Sequence, residues 1–219
     1  MRTLRAIGEL GVAVGLVLLL FYAYLLWGTD SYTEGQQRAL QRQLDQVFGQ
    51  ELGHGSGDGS AHGKTGKQPI GKIRLGHALA LLRIPRLGVD YKYAIVEGVG
   101  PEELRKGPGH YPGTALPGQI GNFVISGHRT TYAAPFKKID ELRRGDEIVV
   151  DAAEARYTYR VDRKEIVDPT DLAVIDPVPR HPSRRPSKAV ITMTTCHPEY
   201  SARQRLIVYG VLAKREERT

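Results

Sequence analysis

The sequence predicts a mostly β domain, an antiparallel sandwich or closed barrel with short helices, placed behind an N-terminal transmembrane helix and a flexible linker. Three observations carry this. From about Ile73 the 219-residue chain breaks into short apolar runs separated by Gly and Pro. In "RYTYRVD", Tyr157, Tyr159 and Val161 alternate with Arg156, Thr158 and Arg160, the period of a strand with one dry face. Residues 11–27, "GVAVGLVLLLFYAYLLW", carry no charge and, with Ile7 and Leu10 ahead of them, approach the roughly 20 apolar residues that cross a bilayer as a helix.

Taken in order, residues 1–28 read as a cytoplasmic stub and membrane anchor. Arg2 and Arg5 precede the apolar run and Tyr22, Tyr24 and Trp27 crowd its far end, so the positive-inside rule puts the N-terminus in the cytoplasm and the rest outside. A cleaved signal peptide is the alternative, but the run exceeds the usual apolar length of about 7 to 15 residues and no small-x-small site follows "LLWGTD".

Residues 29–72 read as a juxtamembrane helix and tether. Leu40, Leu44, Val47 and Phe48 have helical spacing, whereas "GHGSGDGSAHGKTGKQP" has too little apolar content to order itself. The expected consequence is a domain held at a variable distance from the bilayer. Residues 73–215 form the folded unit, with strands expected in "ALALLRIPRLG", "YKYAIVEGV", "GNFVISG", "DEIVV", "ARYTYRVDRKEIV", "KAVITMTT" and "RLIVYGVLA". Only "PEELRKG" and "APFKKIDELRRG" look helical, each stopped by glycine.

The formal charge is +7, but basic residues are interspersed with acidic ones, as in "KKIDELRRGDE", and no aromatic-interleaved basic stripe appears. That argues against nucleic acid as a partner and fits solubility and attraction to anionic envelope polymers or headgroups.

Cys196 is the single cysteine, in "ITMTTCHPEY". Outside a membrane it is an inert core residue, an intermolecular disulfide or a nucleophile. It ends a strand, before a proline that cannot continue a central ladder, and so sits at a sheet rim. Thr192 and Thr194 share its face, a polar setting for a structural thiol. Catalysis needs a neighbouring imidazole or guanidinium to favour the thiolate.

Seven histidines compete for that role. His54, His62 and His77 fall in or beside the tether, His181 lies in a proline- and arginine-rich loop, and His197 points to the opposite face from its neighbour Cys196. His110 and His128 remain. His128 is favoured, because it closes an apolar strand at another rim and follows Gly127, which permits close backbone approach. Arg205 opens a buried strand and is either a solvated strand start or an oxyanion donor.

Together these residues resemble the sortases, the membrane-anchored cysteine transpeptidases of Gram-positive bacteria. "TMTTC" is similar to the family's TLxTC strand with Met193 in place of leucine, a volume-conserving change. "SGHRTTY" matches the segment of the family histidine and "RQRLIVYG" that of its arginine. The resemblance spans roughly Leu79 to Lys214, and "GPGHYPGTALPGQIGNFVISGHRT" looks most like class E, the housekeeping group of high-GC actinobacteria.

The resemblance implies an eight-stranded β-barrel and a transpeptidase of the cell membrane, its catalytic domain extracellular. Its partners would be secreted proteins with C-terminal LAxTG or LPxTG-like sorting signals, and an amine of lipid II or a peptidoglycan stem peptide. It implies Cys196 as nucleophile, His128 as acid and base, and Arg205 as oxyanion stabiliser. Tyr111 matches a tyrosine implicated in the choice of LAxTG, and Thr194, Thr195, Ser126 and Thr130 are expected to line the substrate groove. No cofactor and no metal are expected, since Asp168, Asp171 and Asp176 lie among prolines without metal-loop spacing.

An L,D-transpeptidase would share the anchor and a Cys/His pair, but there a glycine precedes the cysteine and an arginine follows closely. A papain-like peptidase would place its cysteine ahead of the histidine, at a helix N-terminus. A non-catalytic binding barrel with Cys196 in its core is the remaining alternative.

Overall fold

The structure is a computed structural model that describes residues 2–53 and 74–218, and within the first helix the side chains of 5–22 and 29–49. The tether expected between those two stretches, with His54 and His62, lies outside the described residues.

Helix α1 runs from Arg2–Gly53 without interruption. Its 52 residues span about 78 Å at the α-helical rise. The window Arg5–Tyr22 has a mean hydropathy of 1.8 and none of it is buried, consistent with a single-pass membrane anchor. The helix continues through Gly28 and the weak helix formers Thr29 to Thr33. No proline interrupts it, and the residues that follow are held against the barrel by tertiary contacts.

Eight strands follow: β1 (Ala78–Arg83), β2 (Lys92–Glu97), β3 (Gly109–His110), β4 (Gly121–Ser126), β5 (Glu147–Asp151), β6 (Ala155–Val167), β7 (Ala189–His197) and β8 (Gln204–Glu217). They close into a barrel in the order β1-β2-β3-β4-β7-β8-β6-β5. The expectation of a wholly antiparallel sheet is corrected: β2 pairs with β3, and β4 with β7, in parallel. Residues 127–188 supply the long crossover that a parallel β4–β7 pair requires.

Period-2 patterning fills the interior with Phe123 and Ile125 of β4, Ile191 and Met193 of β7, and Leu206 and Val208 of β8. The alternate residues of these strands therefore face outward. The helix expected in "APFKKIDELRRG" is a single 3₁₀ turn, Ile139–Glu141, flanked by buried Phe136 and Leu142. The three-residue spacing of Phe136, Ile139 and Leu142 is the 3₁₀ repeat rather than the α repeat. "PEELRKG" does form a helix, α2 (Pro101–Leu104).

Residues 30–48 of α1, the expected juxtamembrane helix, lie on the barrel. Leu40, Leu44 and Phe48 bury themselves against Leu81, Ala94 and Val96, while Val47 stays exposed. Gln37 extends this face: its Nε2 donates to the carbonyls of Ala94 (3.0 Å) and Lys106 (2.7 Å), and its Oε1 accepts from the Ala94 N–H (2.7 Å). Gly107 is required here, since a Cβ at its φ of +153° would collide with the Gln37 amide.

Candidate active site

Cys196, the penultimate residue of β7, lies opposite Arg205, the second residue of β8, in the antiparallel ladder. Directly opposed residues project from the same face about 5 Å apart at Cβ. On the other side of β7 the parallel register pairs Ser126 with Thr194. It continues past the end of β4, where the Gly127 N–H donates to the Thr194 carbonyl at 3.2 Å and the Thr195 hydroxyl donates to the Gly127 carbonyl at 2.8 Å. Two residues beyond each member of the Ser126–Thr194 pair are His128 and Cys196. The thiol, the imidazole and the guanidinium thus stand on three adjacent strand ends, at one rim of the barrel's outer face.

Gly127 fills the role expected of it, and the approaching group is an aromatic ring: a Cβ would stand 2.7 Å from the Phe136 ring. Phe136 also donates its N–H to the His128 carbonyl at 3.0 Å, closing the loop that carries the imidazole. The His128 ring lies 5.1 Å from that of Tyr132, tilted by 37°. Burial first, and the positive charge of Arg105 second, hold the His128 pKa below its ordinary value, so the neutral imidazole predominates at neutral pH.

Arg205 donates from Nη1 to the carbonyls of Ala202 and Gln204, both at 3.0 Å, which fixes its guanidinium over its own turn. Its Nε and Nη2 carry further N–H donors. Tyr111 follows β3 and donates its N–H to the Val124 carbonyl at 2.9 Å. Burial pushes its phenol above the ordinary value while the charge of Arg205 pulls it down, so Tyr111 stands within electrostatic reach of Arg205.

The groove residues expected from the sequence divide. Thr194 and Ser126 share the outward face of Cys196, Thr194 buried and Ser126 half-buried, and Thr130 is exposed on the loop after His128. Thr195 is a correction: it points inward, 2% exposed, and its hydroxyl ties β7 to Gly127 rather than lining a groove. His110, the other histidine considered, is pinned in the interior between Glu97 (2.7 Å) and Thr114 (2.9 Å).

Two contributors were missed from sequence. Arg129, 5% exposed, donates from Nη1 to the Cys196 carbonyl at 3.3 Å and to His197 Nδ1 at 3.0 Å, and its Nη2 pairs with Asp140 at 3.0 Å. It binds the end of β4 to the end of β7, and its donation requires that His197 Nδ1 carry no proton. Asn122 receives the Thr192 hydroxyl at 2.6 Å and donates to the carbonyls of Val174 (3.1 Å) and Asp176 (3.0 Å), which fastens that part of the crossover to β4 and β7. An asparagine inside the apolar run "GNFVISG" was the available signal, because a buried amide needs partners.

Among the described residues no group of three or more His, Cys, Asp or Glu is placed to hold a metal ion. Asp171 instead pairs with Arg180 at 2.9 Å, and Asp168 accepts from the Thr170 N–H and hydroxyl.

A family model described as "Sortase domain" matches residues 82–213. The chain is 32% identical over 225 residues to sortase SrtE1 of Streptomyces coelicolor, across 98% of this chain and 58% of that protein. It therefore spans a little over half the length of that relative. Among solved structures it resembles sortase E from Streptomyces avermitilis, with a TM-score of 0.60 and 42% identity over 66% of this chain and 93% of that one. Sortase E1 from Streptomyces coelicolor, solved with a tripeptide in the active site, matches with a TM-score of 0.60 and 35% identity over 65% of this chain and 92% of that one.

Proposed function

The chain belongs to the sortase family, in its class E, and on that footing we propose that it is a membrane-anchored cysteine transpeptidase that cleaves LAxTG- or LPxTG-type signals between Thr and Gly. It would join the new carboxyl end to an amine of the cell wall, from lipid II or a peptidoglycan stem peptide. The observation that carries this reading is the register that sets Cys196 opposite Arg205 and in line with His128. The tripeptide in the related sortase E1 structure supports a peptide as substrate.

The chemistry follows from the three side chains. The Cys196 thiolate attacks the threonine carbonyl, and the negative charge that develops on its oxygen is met by the Arg205 guanidinium. The C–N bond to glycine breaks as the His128 imidazolium gives its proton to the departing amine, leaving a thioester. The neutral imidazole then takes a proton from the incoming amine, which attacks the thioester carbonyl, forms the new amide and releases the thiolate. Protonated imidazole and ionised thiol must therefore coexist at the start of the cycle.

Arg2 and Arg5 support a cytoplasmic N-terminus and a barrel on the outer side of the membrane. The test uses the full chain in detergent micelles with LAxTG and LPxTG peptides, with and without an amine acceptor, beside Cys196→Ala. Cleavage after threonine with an acyl mass on Cys196, absent in the variant, is expected. A folded chain that cleaves neither peptide while iodoacetamide still alkylates Cys196 would overturn the assignment of substrate.

A further inference from the structure

One face of α1 grips both supports of the ring that lies against His128. Tyr132 has φ +53°, followed by Ala133 at +57° and Ala134 at +40°. Three successive non-glycine residues in the left-handed region form a backbone that persists only where its surroundings over-determine it. Within the loop the Ala134 N–H donates to the Thr131 carbonyl at 2.9 Å and the Phe136 N–H to the His128 carbonyl, and further restraints come from outside it. The Ala133 N–H donates to Asp30 Oδ1 of α1 at 2.8 Å, the Tyr93 hydroxyl donates to the Ala133 carbonyl at 3.1 Å, and the Tyr91 hydroxyl donates to the Pro135 carbonyl at 2.7 Å.

The second support is Arg105, whose guanidinium lies 5.8 Å from the centre of the Tyr132 ring. Its carbonyl accepts from the Thr33 hydroxyl of α1 at 2.8 Å. Asp30, Thr33 and Gln37 fall on one side of the helix by their spacing. The first holds the loop after β4, and the other two hold the turn after α2.

We infer that the docked helix sets the position of His128, with Asp30 a positioning residue that acts through Ala133 and Tyr132. This rests on the reading of His128 as the acid and base of the transfer. Asp30 is suited to the task because its short side chain sets an acceptor oxygen 2.8 Å from the Ala133 N–H. It follows Trp27, the end of the uncharged run, by less than one helical turn. The imidazole's placement is therefore tied to the membrane-proximal turn of the anchor, and the barrel reaches its working geometry only with that helix seated.

The experiment compares the full chain in detergent micelles with Asp30→Ala and Asp30→Asn. It measures kcat and KM for the preferred peptide and hydrogen exchange in segments 128–136 and 189–195. Misplacing a catalytic group by about an ångström costs up to about 100-fold in rate. Asp30→Ala is expected to lower kcat by about 5- to 20-fold with KM within about twofold, and to raise exchange in 128–136 but not in 189–195. Asp30→Asn, whose amide oxygen accepts the same N–H, is expected to match the parent in both.

An Asp30→Ala chain with parental kcat, or with parental exchange in 128–136, overturns the inference. So does an Asp30→Asn chain as slow as Asp30→Ala, since charge rather than the hydrogen bond would then be responsible. If the parent turns over no peptide, the transferase reading is what fails. The exchange comparison then decides the positioning alone, upholding it if only Asp30→Ala loosens 128–136 and overturning it otherwise.

Discussion

Arg205 faces Cys196 across the β7–β8 ladder, and its guanidinium is already immobilised by the carbonyls of Ala202 and Gln204. A donor held before substrate arrives needs no reorganisation as charge develops on the carbonyl oxygen. Replacing Arg205 with alanine is therefore expected to lower kcat by roughly 100- to 1,000-fold. Arg205→Lys should recover only part of this, because an ammonium lacks the planar fork that reaches both its own turn and the substrate. Steady-state peptide cleavage measures both; an alanine variant within tenfold of the parent would remove Arg205 from the oxyanion role.

Arg105 depresses the His128 pKa by like-charge repulsion, as a second cause after burial. Arg105→Gln is expected to raise that pKa, moving the limb of the kcat/KM profile that belongs to His128 to higher pH. Because the folded chain disfavours the imidazolium, His128 contributes stability that is present above its unfolded pKa and lost as pH falls through that range. The variant should lose less of it on acidification. Histidine NMR titration of the full chain reads the shift directly, and no change would mean that burial alone governs His128.

Gly127 touches Phe136 too closely to accept a methyl group. Gly127→Ala is expected to cost about 1–3 kcal/mol through overpacking, and to lower kcat because the displaced segment carries His128. Thermal unfolding and turnover measured together check this; a variant that loses stability with unchanged kcat would show that the loop moves independently of the ring.

The helix contacts bear on how the domain can be isolated. A fragment beginning at residue 74 uncovers Leu81, Ala94 and Val96 and removes the three Gln37 hydrogen bonds. Burial of Leu40, Leu44 and Phe48 is worth roughly 1.5–3 kcal/mol each. The fragment from residue 74 is expected to unfold about 10 °C or more below one starting at residue 29. Equal melting temperatures would show that docking adds nothing to the barrel.

Docking was hard to read from sequence because its polar half looks like surface. Leu40, Leu44 and Phe48 announced an apolar stripe, but Thr33 and Gln37 continue it with side chains whose partners are backbone groups more than fifty residues away. β3 escaped because two residues cannot display a period. Arg129 escaped because nothing local distinguishes an arginine buried under a strand end from a solvated one.

The sequence by itself determined the apolar span, the seven longer strands and the placing of Cys196, His128 and Arg205 at strand ends. Hydropathy, two-residue alternation and Gly/Pro punctuation are local signals, readable without knowing what lies across the fold. Only the tertiary structure decided which strand ends meet. Parallel pairing of β4 with β7 sets their C-terminal ends side by side, and the antiparallel turn into β8 returns Arg205 to the same rim. Register across a 62-residue crossover, residues 127–188, is fixed by packing of the closed barrel as a whole and leaves no mark on any single segment of the chain.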